Sequence, residues 1–368
     1  MRVLFAGGGT GGHINPAISV ANYIKERDNE FSALFIGTER GLETKLVPAA
    51  GYEIKYIDIR GFDRKNLLKN FSVIKKLIKS KSDCIKILKD FKPDVVVCTG
   101  GYVSGPVAIA AKKLGIPSLI HEQNVYPGLT VKGGEKYVDY VAVSFPETIK
   151  HMKNPEKCVV TGNPIRAELL KTEKTDARKK LGLSEKPFVL VFGGSLGAKK
   201  INDTMIGVIK KLQGNNDLQL LFGTGDRNYK EVSAALEGIN LGENIKVVPY
   251  INNMSDVMAA ADLVVSRSGA ISLSEIAALG KASVLIPSPN VVRNHQEQNA
   301  REFEKAGAAA VIVEEDLSSD VLYDKIIAMT SDEKFLKDMS SNVKKISKTD
   351  ALEELYKLVI KLYKKGDR

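Results

Sequence analysis

The chain has 368 residues, of which 43% are hydrophobic and 27% charged, with a formal net charge of +10 and three cysteines. Such proportions are ordinary for a globular protein, and a chain of this length needs no disulfide or structural metal to hold its fold. At roughly 100–200 residues per domain, the length indicates two domains, each able to bury its own core.

Taken from the start, Met1–Ala6 runs directly into a glycine-rich turn, which reads as a first strand and not as a cleavable leader. No apolar run approaches the ~18–20 residues of a membrane span, so any membrane contact is expected to be peripheral. Strands are predicted at 3–6, 32–36, 95–98, 118–120, 140–143, 159–161, 188–192, 219–222, 246–248, 263–266, 283–286 and 310–313. Segments with helical apolar spacing, such as 16–27 and 201–212, lie between them. That alternation argues for an α/β protein with parallel sheets covered on both faces, whose ligands sit at the carboxyl ends of the strands.

Gly7–Gly12 forms a glycine loop between the first strand and a helix, a backbone that a polar ligand can approach closely. A bare tight turn and a dinucleotide site are its rivals, but only Glu39 is loosely placed for a cofactor ribose. His13 follows the loop at the start of the helix, where a histidine can take a proton near neutral pH or serve as a simple cap. Residues 64–92 carry ten Lys/Arg against Asp83 and Asp90, a local net charge of +8. Within that stretch Leu67, Phe71, Ile74 and Ile78 form one helical stripe flanked by Lys69, Lys75, Lys76 and Lys79. The stripe either lies in a headgroup layer or packs on the sheet with its lysines solvated. An anionic membrane surface is the expected partner; nucleic acid is not, because aromatic interleaving and known motifs are missing.

His121-Glu122-Gln123-Asn124 follows the fourth predicted strand, 118–120, at a carboxyl edge, and suits sugar hydroxyls better than a metal. The chain then shows an internal near-repeat: Gly193-Gly194-Ser195-Leu196-Gly197 echoes Gly8-Gly9-Thr10-Gly11-Gly12, each after a strand and before a helix. Each loop is expected to open a doubly wound domain, 1–163 and 164–349, with the amphipathic segment 350–368 packing back on the first. Arg267-Ser268-Gly269-Ala270-Ile271-Ser272 opens a later helix with small residues, so its amides suit a phosphate, and Glu275 lies further along that helix. Asn294–Asn299 is a polar run that either closes over a sugar or is surface. Cys84, Cys98 and Cys158 form no CxxC pair and read as reduced thiols of a cytosolic protein.

Together these residues resemble the MurG family, the N-acetylglucosaminyltransferases that make lipid II for bacterial peptidoglycan. The resemblance rests on GGTGGHINPA at 8–17, TGGYVSGP at 99–106, HEQN with PGLT at 121–130, TGNPIR at 161–166, GGSLGA at 193–198, PYINNM at 249–254, SRSGAISLSEI at 266–276 and HQEQNA at 295–300. It implies the GT-B fold, two Rossmann-like domains facing a cleft. It further implies an inverting transfer from UDP-N-acetylglucosamine to the C4 hydroxyl of undecaprenyl-diphosphate-linked N-acetylmuramoyl-pentapeptide, lipid I to lipid II, on the cytoplasmic face of the bacterial membrane. No cofactor and no metal are implied. By resemblance His13 is the base. Thr10, Gly11, Gly12 and Asn124 line the donor side, Arg166 and Ser195 meet the nucleotide, and Tyr250 and Ile251 meet the uracil. Ala270, Ile271 and Ser272 meet the diphosphate, Glu275 the ribose and Gln296 the sugar; beside them the Ser268 amide and the Arg267 charge are expected to stabilise departing UDP. Two places depart from the family pattern: Phe222-Gly223, where a His-Gln pair is usual, and Val131–Gly134, where an Asn and an apolar helix are usual. Competing readings are a diacylglycerol glycosyltransferase and a UDP-sugar epimerase of the same fold.

Overall fold

The computed structural model describes residues 1–60, 70–194 and 196–366, with side chains omitted at 70–75 and 167. The chain folds as two units, Met1–Ile165 with Thr349–Arg368, and Arg166–Lys348.

The first unit holds β1 (Arg2–Gly7), β2 (Ser32–Gly37), β3 (Glu53–Tyr56), β4 (Val95–Gly100), β5 (Ser118–Glu122), β6 (Tyr140–Val143) and β7 (Cys158–Val160). Their order is β3-β2-β1-β4-β5-β6-β7, parallel throughout. The middle strands are continuous apolar runs, Val3-Leu4-Phe5-Ala6 against Val95-Val96-Val97-Cys98, because both of their faces are covered by helices. The strand order reverses direction between β1 and β4, which opens a crevice at their carboxyl ends. Sequence reading missed β3: it is an edge strand, mostly exposed, with Ile54 as its one aliphatic residue, so it shows no buried run.

The second unit repeats the winding with β8 (Phe188–Phe192), β9 (Gln219–Gly223), β10 (Ile245–Val248), β11 (Leu263–Ser266), β12 (Ala282–Leu285) and β13 (Ala310–Val311), in the order β10-β9-β8-β11-β12-β13. All pairs are again parallel. Its reversal lies between β8 and β11. Both glycine loops of the near-repeat therefore sit at the equivalent place in their own sheets, after the strand that flanks the reversal.

The last helix, Ala351–Gly366, belongs to the first unit: Leu355, Leu358, Val359 and Leu362 pack into the core that contains Val3, Phe5 and Ala21. Tyr23 donates to Glu353 Oε2 at 2.5 Å, and Lys365 pairs with Asp139 at 2.7 Å. In the helix Asn70–Phe91 the buried side runs through Ser80, Cys84 and Leu88, one residue per turn. Ile78 lies off that side and is 68% exposed, beside exposed Lys79. Lys76 is engaged by the two carboxylate oxygens of Asp58, at 2.8 and 2.6 Å. Leu67 and Lys69 lie outside the described residues, as do the side chains of Phe71, Ile74 and Lys75. Among the described residues no helix is long and apolar enough to cross a membrane.

Candidate functional site

In the first unit, the reversal between β1 and β4 gathers the glycine loop, His13, the Thr99-Gly100-Gly101 turn and the residues that end β5. Thr10 is exposed and stands at the N-cap of the helix Gly11–Lys25 in extended conformation, its side chain making no cap bond. His13 and Ile14 donate their amides to the Thr10 carbonyl, at 3.1 and 3.2 Å, which starts the helix. The His13 ring packs against Gly100: a β-carbon there would stand 2.6 Å from Nδ1, and Gly100 has φ of +106°. Only glycine combines that backbone with that ring. His13 Nδ1 lies 3.1 Å from the Thr99 carbonyl and 3.1 Å from Gln123 Oε1.

Glu43 holds the loop from below. It is fully buried, and its carboxylate accepts from the Gly9 amide at 2.9 Å, the Thr38 amide at 2.9 Å and the Thr38 hydroxyl at 2.8 Å. Sequence reading passed over Glu43, which sits in no run that announces chemistry, and gave Thr99 no role although it opens the stretch TGGYVSGP. Of the His121–Asn124 quartet, three members are buried and committed inside the protein. Glu122 accepts from the Asn124 amide at 2.9 Å, its side chain at 3.0 Å and the Gly128 amide at 2.7 Å. Burial lifts its carboxyl above the ordinary range against the pull of those bonds. His121 is pushed down to about 4 by burial, so its ring is neutral near pH 7. Asn124 alone of the four is half-buried. The departure at Val131–Gly134 falls in a short helix, Leu129–Gly134, capped by Gly128.

In the second unit, the reversal between β8 and β11 brings together the turn Gly193–Ala198 and the start of the helix Ala270–Ala278. Ser195 lies outside the described residues; Gly194 and Gly197 beside it have φ of +97° and +75°. Gly269 occupies the N-cap of Ala270–Ala278 and brings no side chain to the first-turn amides of Ala270, Ile271 and Ser272. Positive helix ends of this kind draw anions. Glu275 on that helix is 8% exposed, and Arg166 donates to its Oε1 from Nε at 3.2 Å and Nη2 at 3.1 Å. Burial raises the Glu275 carboxyl; the Arg166 charge opposes this without cancelling it.

The side chain of Arg267, just before this helix, is only 13% exposed. Its Nη1 donates to the carbonyls of Ile286 and Pro287, both at 3.1 Å, and meets Glu314 Oε2 at 2.6 Å as a charge contact without directed hydrogen-bond geometry. A guanidinium so nearly buried takes the carboxylate and carbonyls at hand. Ser268 donates to the Gln296 carbonyl at 2.8 Å, and Gln296 Oε1 accepts from the Ser288 amide at 2.9 Å. Arg293 and Asn294, just before this glutamine, both have left-handed backbone, φ +57° and +51°. Tyr250 is 50% exposed, whereas Ile251 is buried against Gly223. Phe222 is wholly buried in the core, so it packs where the family pattern has a histidine. Among the described residues no group of three or more His, Cys, Asp or Glu is placed to hold a metal ion.

Residues 3–143 match the family model for the glycosyltransferase family 28 N-terminal domain, and residues 188–355 the model for its C-terminal domain. A Thermoanaerobacter protein named UDP-N-acetylglucosamine--N-acetylmuramyl-(pentapeptide) pyrophosphoryl-undecaprenol N-acetylglucosamine transferase is 51% identical over 98% of this chain and 99% of its own. Its namesake in Acetivibrio thermocellus is 47% identical, covering 98% and 97%. Among solved structures, Acinetobacter baumannii MurG superposes with a TM-score of 0.79 at 27% identity, over 98% of this chain and 99% of that one. A UDP-GlcNAc 2-epimerase from Neisseria meningitidis, at 14% identity and a TM-score of 0.67 over 98% and 100%, shares the fold alone.

Proposed function

The chain belongs to glycosyltransferase family 28, in its MurG branch, and on that premise we propose that it transfers N-acetylglucosamine from UDP-N-acetylglucosamine to a muramoyl-pentapeptide carried on undecaprenyl diphosphate. The observation that carries this reading is identity of about half the residues, over nearly the full length, to transferases of that name.

The two reversals divide the labour. Acceptor chemistry falls to the first unit. His13 takes the proton of the acceptor C4 hydroxyl as its oxygen attacks the anomeric carbon, and UDP departs from the opposite face, so configuration inverts. Thr10, Gly11, Gly12 and Asn124 border the donor sugar. Donor binding falls to the second unit. The amides of Ser268, Ala270, Ile271 and Ser272, with Ser195 and Arg166, receive the diphosphate and stabilise the charge on departing UDP. Both Arg166 bonds go to Glu275 Oε1, and Oε2 is the acceptor for the ribose hydroxyls. Tyr250 and Ile251 meet the uracil, and Gln296 the sugar. Arg267 shapes the β11–β12 loops from behind.

The lipid tail of the acceptor keeps the reaction at a membrane. The basic stretch 64–92, whose residues 70–91 form the helix that exposes Ile78 and Lys79, supports peripheral docking on the anionic cytoplasmic face. The test is transfer of radiolabel from UDP-N-acetylglucosamine. Label is expected on a lipid-linked muramoyl acceptor and not on diacylglycerol. Labelled diacylglycerol, or conversion of the donor to its 2-epimer without acceptor, would overturn the assignment.

A further inference from the structure

His13 stands at one end of a buried polar chain that contains no charge. Gln123 Nε2 donates to the Thr99 carbonyl at 2.8 Å and to His121 Nδ1 at 3.0 Å. His121 Nε2 lies 3.0 Å from the Gly162 carbonyl, which can only accept. His121 therefore carries its proton on Nε2, and its Nδ1 is an acceptor. That acceptor and the Thr99 carbonyl together demand the NH₂ of Gln123, which fixes the side-chain amide in one orientation and turns Oε1 toward His13. Each of the two oxygens 3.1 Å from His13 Nδ1 is then an acceptor.

The geometry points to Gln123 and His121 as positioning residues that hold His13 in the Nδ1–H tautomer, so that Nε2 is the nitrogen that receives the acceptor's proton. This deepens the reading of His13 as the base and rests on it. Histidine bases are often oriented by a carboxylate behind the ring. Here the buried carboxylates of neighbouring elements are spent elsewhere, Glu43 on Gly9 and Thr38, and Glu122 on Asn124 and Gly128. The other titratable neighbour, His121, is neutral. Gln123 and His121 are 3% and 1% exposed, so water does not compete for these bonds. When the C4 hydroxyl gives its proton to Nε2 and its oxygen bonds the anomeric carbon, the positive ring that results keeps its Nδ1–H on two neutral oxygens. Free imidazole side chains favour the opposite tautomer, so each acceptor at Nδ1 matters.

The experiment is ¹⁵N NMR of the full chain with labelled histidine. Only four histidines are present, and His13→Ala identifies the signal of His13. Above the pH at which the ring deprotonates, wild type is expected to show a proton on Nδ1 and none on Nε2. Gln123→Met keeps the bulk and removes the amide. There a detectable Nε2–H fraction is expected, with kcat down about two- to tenfold, the loss of one neutral hydrogen bond, and donor KM unchanged. A wild-type ring protonated on Nε2, or an unchanged tautomer in Gln123→Met whatever its turnover, would overturn the proposal. The wild-type spectrum decides even where the variant does not fold. Normal turnover in His13→Ala would instead sink the base assignment while leaving the tautomer result intact.

Discussion

Replacing Glu43 by glutamine tests whether the glycine loop is held from below. All three partners of this carboxylate are donors: the Gly9 amide, the Thr38 amide and the Thr38 hydroxyl, at 2.9, 2.9 and 2.8 Å. A glutamine keeps the size and turns one oxygen into NH₂. With its oxygen on the two Thr38 donors, the NH₂ faces the Gly9 amide, donor against donor, and one hydrogen bond to a charged group is lost. Such bonds contribute about 1.5–3 kcal/mol. In a domain of this size 1 kcal/mol moves the melting temperature by about 2–4 °C. The first unit should thus melt roughly 3–12 °C lower. Because two units need not unfold together, calorimetry that resolves both transitions is the suitable assay. The loop leads directly into His13, so kcat should also drop about tenfold, a misplacement of about 1.4 kcal/mol in the barrier. UDP affinity, which the proposed function assigns to the second unit, should stay the same. Wild-type melting together with wild-type turnover in Glu43→Gln would refute the reasoning.

His13→Ala should cut turnover about 10²–10⁴-fold with UDP binding nearly unchanged, measured by label transfer and calorimetric titration. Glu275→Ala should weaken UDP by about 1.5–3 kcal/mol and leave acceptor binding alone; equal UDP affinity in the two proteins would remove Glu275 from the ribose. His121 gives a pH signature. Its folded pKa, about 4, lies below the ordinary 6.5, so between these values the unfolded chain binds the extra proton and stability falls as pH drops. The slope attributable to His121 is about 1.4 kcal/mol per pH unit in that window. His121→Gln should lack it, and parallel melting-versus-pH curves for the two proteins would contradict the neutral buried ring. Changing Lys69, Lys75, Lys76 and Lys79 together to Glu should abolish sedimentation with anionic vesicles; unchanged binding at low salt would place the docking surface elsewhere.

Much of the fold was legible because its central strands are unbroken apolar runs between glycine turns, and the predicted 140–143, 188–192 and 263–266 coincide with β6, β8 and β11. Strand β3 was hidden because an edge strand has no need of such a run. Site motifs were legible where short runs of glycine or polar residues end a strand. Partnership was not. Sequence names Arg267, Arg166, Glu275 and Gln123 but not what each touches, and touch decides the role. Arg267 turned out to face Glu314, a residue 47 positions on, and Gln123 to bridge two histidines that lie 108 positions apart in the chain. Glu43 was invisible for the same reason, since its significance is the Gly9 amide 34 residues away.

The return of the last helix to the first unit has a consequence for synthesis. Proteins emerge from the ribosome amino end first, and domains generally fold in that order. Here the core around Val3, Phe5 and Ala21 lacks Leu355, Val359 and Leu362 until the helix Ala351–Gly366 is made. The second unit, one uninterrupted stretch from Arg166 to Lys348, is complete before then. The unit begun first is thus finished after the other, and a nascent chain that lacks the helix Ala351–Gly366 carries an open, greasy seam on its first unit.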